Sequence, residues 1–127
     1  MDGNVNSINW FEIPAADINR AKKFYETVFN ISMESQNMMG MEMAFFPWDP
    51  GNGKVAGALV QSDMHIPSGH GVKIYLNGNP DLAVPLANVE KAGGTVTMPK
   101  TLIDEQTGYM AFIVDSEGNT VGFHSQH

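Results

Sequence analysis

The sequence contains no cysteine, so no disulfide can staple the fold and no thiol can serve as nucleophile or ligand. Positive charge is scarce, with seven Lys and Arg against fourteen Asp and Glu, a net charge of −7. Nucleic-acid binding draws on clustered cations facing phosphates, and none is present; an anionic membrane surface is disfavoured on the same ground. No apolar run approaches the ~20 residues of a membrane span. Met1-Asp2-Gly3-Asn4 offers neither a basic start nor an apolar signal core. The expectations are a cytoplasmic setting, no nucleic-acid or membrane partner, and a small molecule as ligand or substrate.

What is present suits one domain, 1–127. The chain has 127 residues, 43% of them hydrophobic, enough for a core without metal or disulfide staples. A first strand is read over Ser7 to Pro14. Asp17 caps a helix carrying Ile18, Ala21, Tyr25 and Val28 at helical spacing, and Asn30 ends it. Strands follow over Ile31 to Gln36, Met41 to Trp48 and Val55 to Gln61. Ser62 to Gly69 reads as a connection. The order then repeats: a strand over Val72 to Leu76, a helix capped by Asp81 and stopped at Gly93-Gly94, then strands over Thr95 to Met98, Tyr109 to Asp115 and Thr120 to Ser125.

The halves, about 5–62 and 70–127, therefore read as two βαβββ modules. Met43-Ala44-Phe45-Phe46 returns as Met110-Ala111-Phe112-Ile113, and each run leads into an Asp-started turn. Matching Gly57 to Gly122 also matches Gln61 to Gln126. The expected fold class is α+β: two modules related by a pseudo-twofold, curved mixed sheets enclosing a cavity, helices outside. Strand alternation divides the residues. Phe11, Ile13, Ala56, Ala58, Val60, Ile74, Leu76, Val121 and Phe123 are assigned to the helix side. Trp10, Glu12, Gly57, Leu59, Lys73, Tyr75, Gly122 and His124 are assigned to the cavity side.

Three segments resemble the vicinal oxygen chelate superfamily, which holds glyoxalase I, bleomycin-resistance proteins and extradiol dioxygenases. They are Trp10-Phe11-Glu12-Ile13-Pro14 through Asp17 and Phe24-Tyr25, then Val89 to Gly94, then Asp115 to His124. Small glyoxalase-like proteins ending in Gly-(aromatic or Leu)-His-Ser are similar to Gly122-Phe123-His124-Ser125. The resemblance implies a homodimer. It also implies metal-ligand positions at or near Trp10, Gly57, Lys73 and Gly122, none of which is a usual ligand. No metal and no cofactor are expected, which disfavours a lactoylglutathione-lyase-type lyase or a dioxygenase.

Glu12 and His124 stand one step along the same strand faces and form the candidate acid–base pair. Lys73 and Tyr75 can hold developing charge, and Trp10, Gly57 and Gly122 complete the candidate ligand site. Equally, Glu12 and His124 can be a hydrogen-bonded pair that only fixes the sheets. Two functions remain open: a metal-independent enzyme moving protons on a small carbonyl metabolite, and a protein that sequesters a toxic or signalling molecule. His65, His70 and His127 read as solvated loop residues, and Met33, Met38, Met39, Met41 and Met43 either as lining an accommodating pocket or as core filler with an exposed loop.

Overall fold

A computed structural model describes all residues, Met1–His127. The elements run β1 (Trp10–Pro14), α1 (Ile18–Phe29), β2 (Glu34–Met38), β3 (Met41–Phe45), β4 (Ala56–Gln61), β5 (Tyr75–Asn77), α2 (Ala83–Val89), β6 (Thr95–Asp104), β7 (Gly108–Val114) and β8 (Thr120–Ser125). They build two four-stranded sheets of like topology, β1-β4-β3-β2 and β5-β8-β7-β6. In each, the first strand pairs parallel with the last and the rest are antiparallel.

The modules start their helices alike. Asp17, the α1 N-cap, accepts at Oδ1 from the Asn19 and Arg20 amides; Asp81 Oδ1 accepts from the Ala83 amide, but the α2 N-cap position is Leu82, so the expected Asp81 cap stands one residue too early. Gln61 Oε1 accepts from Ile18 N–H, as Ser125 Oγ accepts from Leu82 N–H. The amide of Ala15 donates to Val60 O, as that of Gly78 donates to His124 O. These paired contacts fix the internal alignment: Gln61 corresponds to Ser125, and Ala58 to Gly122. Matching Gly57 to Gly122 is therefore one residue out. The Met43 and Met110 segments do correspond, since Ala44 lies opposite Leu59 and Ala111 opposite Phe123.

One core serves both modules. Ile18, Ala21, Phe24, Tyr25 and Val28 of α1 pack with Ile13 and Leu59 of the first sheet, and with Leu76, Ile113, Val121 and Phe123 of the second. Phe24, Tyr25 and Phe123 are almost wholly buried, each contributing roughly 2–3 kcal/mol of transfer free energy. The first sheet's other face carries a smaller cluster of Met43, Ala58 and Val60 beneath Trp10, Met41 and Phe45. This reverses the expected sides of β4. Ile13 lies opposite Leu59 and Phe11 opposite Gly57, and residues opposite one another in a sheet share a face. Leu59 and Gly57 thus face the helices, while Ala58 and Val60 face away. A strand of small apolar residues gave alternation no polar side to read.

Other departures are in length. β6 continues through Pro99 to Asp104. It is an edge strand with three register shifts, a setting that tolerates a residue lacking an amide donor. β5 pairs only over Tyr75–Asn77, later than the expected Val72 start.

A polar clasp joins the modules. The wholly covered Glu117 carboxylate, from the β7–β8 turn, accepts from the Ala16 and Asp17 amides and from Arg20. Asn119 donates to Pro14 O at 2.7 Å and to Asp115 Oδ2 at 3.0 Å, and accepts from Ser68 N–H at 3.0 Å. Tyr25 donates to Asp115 Oδ2 at 2.8 Å.

Candidate functional site

Two cavities share walls near β1 and the approach to β5. The larger, about 660 Å³, is walled by Phe11, Phe29, Phe46 and Ile74, with Lys73, Tyr75, Asn77 and Asn79 at its polar side. The smaller, about 380 Å³, is bounded by Trp10, Glu12, Ile66, Val72 and the start of β8. Ile8, Phe11 and Ile74 border both. The first takes in β5, Tyr75–Asn77, and the second takes in β1, Trp10–Pro14.

The structure distributes the sequence-derived candidates between these spaces. Trp10 and Glu12 project from β1 on the face away from the helices. The Trp10 indole N–H donates to Glu12 Oε2 at 3.3 Å, and its ring meets Phe45 and Trp48 edge-on. Lys73 lies just before β5 with Nζ donating to Gly71 O at 3.1 Å, so its charge is partly engaged by the connecting segment. Tyr75 is half exposed and packs against Phe112. Its ring also covers Gly122, where an added Cβ would lie 2.6 Å from Tyr75 Cδ1. Gly57, on the helix side, lies under the ring of Phe11 and does not line the ligand layer.

The expected Glu12–His124 contact does not form. His124 Nε2 bonds Thr107 O at 2.6 Å, and His124 borders neither of these two cavities. The partner of Glu12 is His65, with Nε2 to Oε1 at 2.8 Å. His65 Nδ1 lies 2.6 Å from Ser62 Oγ. His65 is therefore not the solvated loop residue its position suggested: its side chain is 15% exposed, against 33% for Glu12. The available signal was weak. Ser62 follows directly on β4, the parallel neighbour of β1, and a Ser-x-x-His turn there returns its imidazole over β1. Pairing across 53 residues cannot be read from local pattern.

A divalent metal does not fit this donor set. Trp10 offers an N–H and no lone pair, Lys73 repels cations, and Gly122 and Ala58 have no donor side chain. No three His, Asp or Glu side chains converge anywhere in the chain.

Two duplicated sheet–helix modules thus carry cavities along their seam, walled by aromatic rings and a few polar groups. The profile of the Glyoxalase/Bleomycin resistance protein/Dioxygenase superfamily matches residues 7–123, and the chain belongs to that superfamily. No curated protein sequence matches it. Among solved structures, a glyoxalase/bleomycin resistance protein from Albidiferax ferrireducens T118 superposes with a TM-score of 0.68 at 16% identity, over 96% of this chain and 100% of that one. The antibiotic-binding protein TnmS3 from Streptomyces sp. CB03234 gives 0.65 at 22% identity, over 95% and 96%. A glyoxalase I mutant from Zea mays gives 0.68 at 15% identity over 92% of this chain; the match spans only 46% of the plant protein. At these identities the likeness is one of fold. No helix is long and apolar enough to cross a membrane.

Proposed function

We propose that this chain takes a small, largely apolar organic molecule into the larger cavity and handles it without a metal. The observation that carries this reading is the 660 Å³ cavity itself, within the range of small-molecule sites. Its aromatic walls suit a planar body, and Lys73 suits an anionic or carbonyl end. The shared fold with an antibiotic-binding protein supports retention without turnover. The proposal includes a homodimer, tested by sedimentation. Titration with the anionic aromatic dye 1-anilinonaphthalene-8-sulfonate tests the pocket. Lys73→Met lowers affinity roughly tenfold, the loss of one charge-assisted contact, and Ile74→Trp blocks binding. A folded Ile74→Trp protein that bound the dye unchanged would overturn the assignment.

A second reading, turnover of a carbonyl-bearing metabolite by proton transfer, is favoured by one observation: the Glu12–His65 pair, of which Glu12 borders the smaller cavity. In it His65 takes the part expected of His124. Glu12→Gln and His65→Ala then collapse turnover while affinity survives, and His124→Ala leaves turnover near that of the parent.

A further inference from the structure

The hydrogen bonds around Glu12 suit one tautomer of the His65 imidazole. Its Oε2 accepts from the Trp10 indole and its Oε1 bonds His65 Nε2. With the Glu12 carboxylate as acceptor, Nε2 carries the imidazole proton. In that tautomer Nδ1 presents a lone pair, to which the Ser62 hydroxyl, 2.6 Å away, can donate. Ser62 Oγ is itself an acceptor for the Met64 amide at 3.1 Å. Every bond thus points one way. A serine proton faces an imidazole base, a carboxylate fixes the tautomer of that base, and a backbone N–H faces the serine oxygen. Serine activation requires the Ser62–His65–Glu12 order, while the Met64 N–H only holds the Ser62 turn.

We propose that Ser62, His65 and Glu12 form an acyl-transfer centre for small esters, with Ser62 Oγ as nucleophile. This rests on the proton-transferring reading of Glu12 and His65, and adds the nucleophile and the substrate class. Oγ bonds to the ester carbonyl carbon as its proton passes to His65 Nδ1. The tetrahedral adduct collapses, the carbon–oxygen bond to the leaving group breaks, and that proton departs with the alcohol. Water then attacks the acyl-serine, giving its proton to His65. The Oγ–acyl bond breaks, the proton returns to Oγ and the acid leaves. Ester and water become acid and alcohol, with no oxidant or reductant. Glu12 stabilises the transient imidazolium, and Trp10 and Ile66 in the smaller cavity offer an apolar wall to the acyl group.

Two measurements on the intact chain test this. Exposure to phenylmethylsulfonyl fluoride, followed by peptide mass analysis, should place a sulfonyl group on Ser62 of the unaltered protein. Hydrolysis of p-nitrophenyl acetate should fall to the solvent rate in Ser62→Ala and by ~100-fold in Glu12→Gln, the scale of general-base assistance. Thermal unfolding of each variant reports whether the fold persists. An unmodified Ser62 with ester hydrolysis unchanged in Ser62→Ala overturns the proposal. Hydrolysis that survives Ser62→Ala but collapses in His65→Gln also overturns the nucleophile, while leaving the Glu12–His65 reading standing. Hydrolysis unaffected in all three variants sinks both.

Discussion

Replacing Glu117 tests the clasp that holds the two modules together. Its carboxylate reaches across 101 residues to the open end of α1, where the Ala16 and Asp17 amides donate at 2.9 and 2.8 Å. In Glu117→Ala both bonds go, each worth about 1.5 kcal/mol, the low end for a charged acceptor. A further ~0.5 kcal/mol is lost with a negative charge at a helix N-terminus. Arg20 is 54% exposed, so its ion pair is screened and is left out of the sum. The expected loss is about 3.5 kcal/mol, roughly 10 °C in Tm for a domain of this size. Glu117→Gln keeps an acceptor oxygen and should lose about 1 kcal/mol. Burial pushes the Glu117 pKa up, but the bonds from Arg20, Asp17 N–H and Ser116 outweigh it and hold the group below its ordinary 4.5. Its ionised form is therefore favoured in the folded state. That stability is present above pH 4.5 and is lost as pH falls through the lower folded value. Urea unfolding at pH 7 and pH 3 checks both parts. A Glu117→Ala loss under 0.5 kcal/mol, or a Glu117→Gln deficit that widens in acid, would refute the reasoning.

Three further outcomes follow from the packing. Gly57→Ala should cost about 2–3 kcal/mol, because the new methyl meets the Phe11 carbonyl and ring; Gly122→Ala should cost less, since half-exposed Tyr75 can swing away, and chemical denaturation ranks the two. Tyr25→Phe removes a buried bond to Asp115 and should lose about 1.5–3 kcal/mol in the same assay. Burial first, then the Asp115 charge and hydrogen bond, raise the Tyr25 pKa well above 10, so its phenolate absorbance near 295 nm should emerge only with alkaline unfolding, and stability should fall as pH rises above 10.

Much of this architecture is legible before any coordinates. The α1 stripe, the Asp17 cap, the Asn30 stop and the repeated strand order depend on local patterns, and α1 runs Ile18–Phe29 with Asn30 left-handed. What failed was register where pattern is weak. Along Ala56-Gly57-Ala58-Leu59-Val60 nothing polar marks a face, so which side looks at the helices is set by pairing with β1. Within the candidate site, Trp10 and Glu12 lie together as strand alternation requires, since residues two apart share a face.

The amino-acid sequence by itself determined the duplicated fold and the Asp17 cap and Asn30 stop of α1, because propensity and period act over a few residues. Only the tertiary structure decided which histidine meets Glu12. That choice is made by the segment leaving β4, which turns His65 back over β1, while the loop before β7 takes up His124 through Thr107. Contacts made by chain segments 53 residues apart depend on how strands stack and where connections run, and that information belongs to the assembled fold.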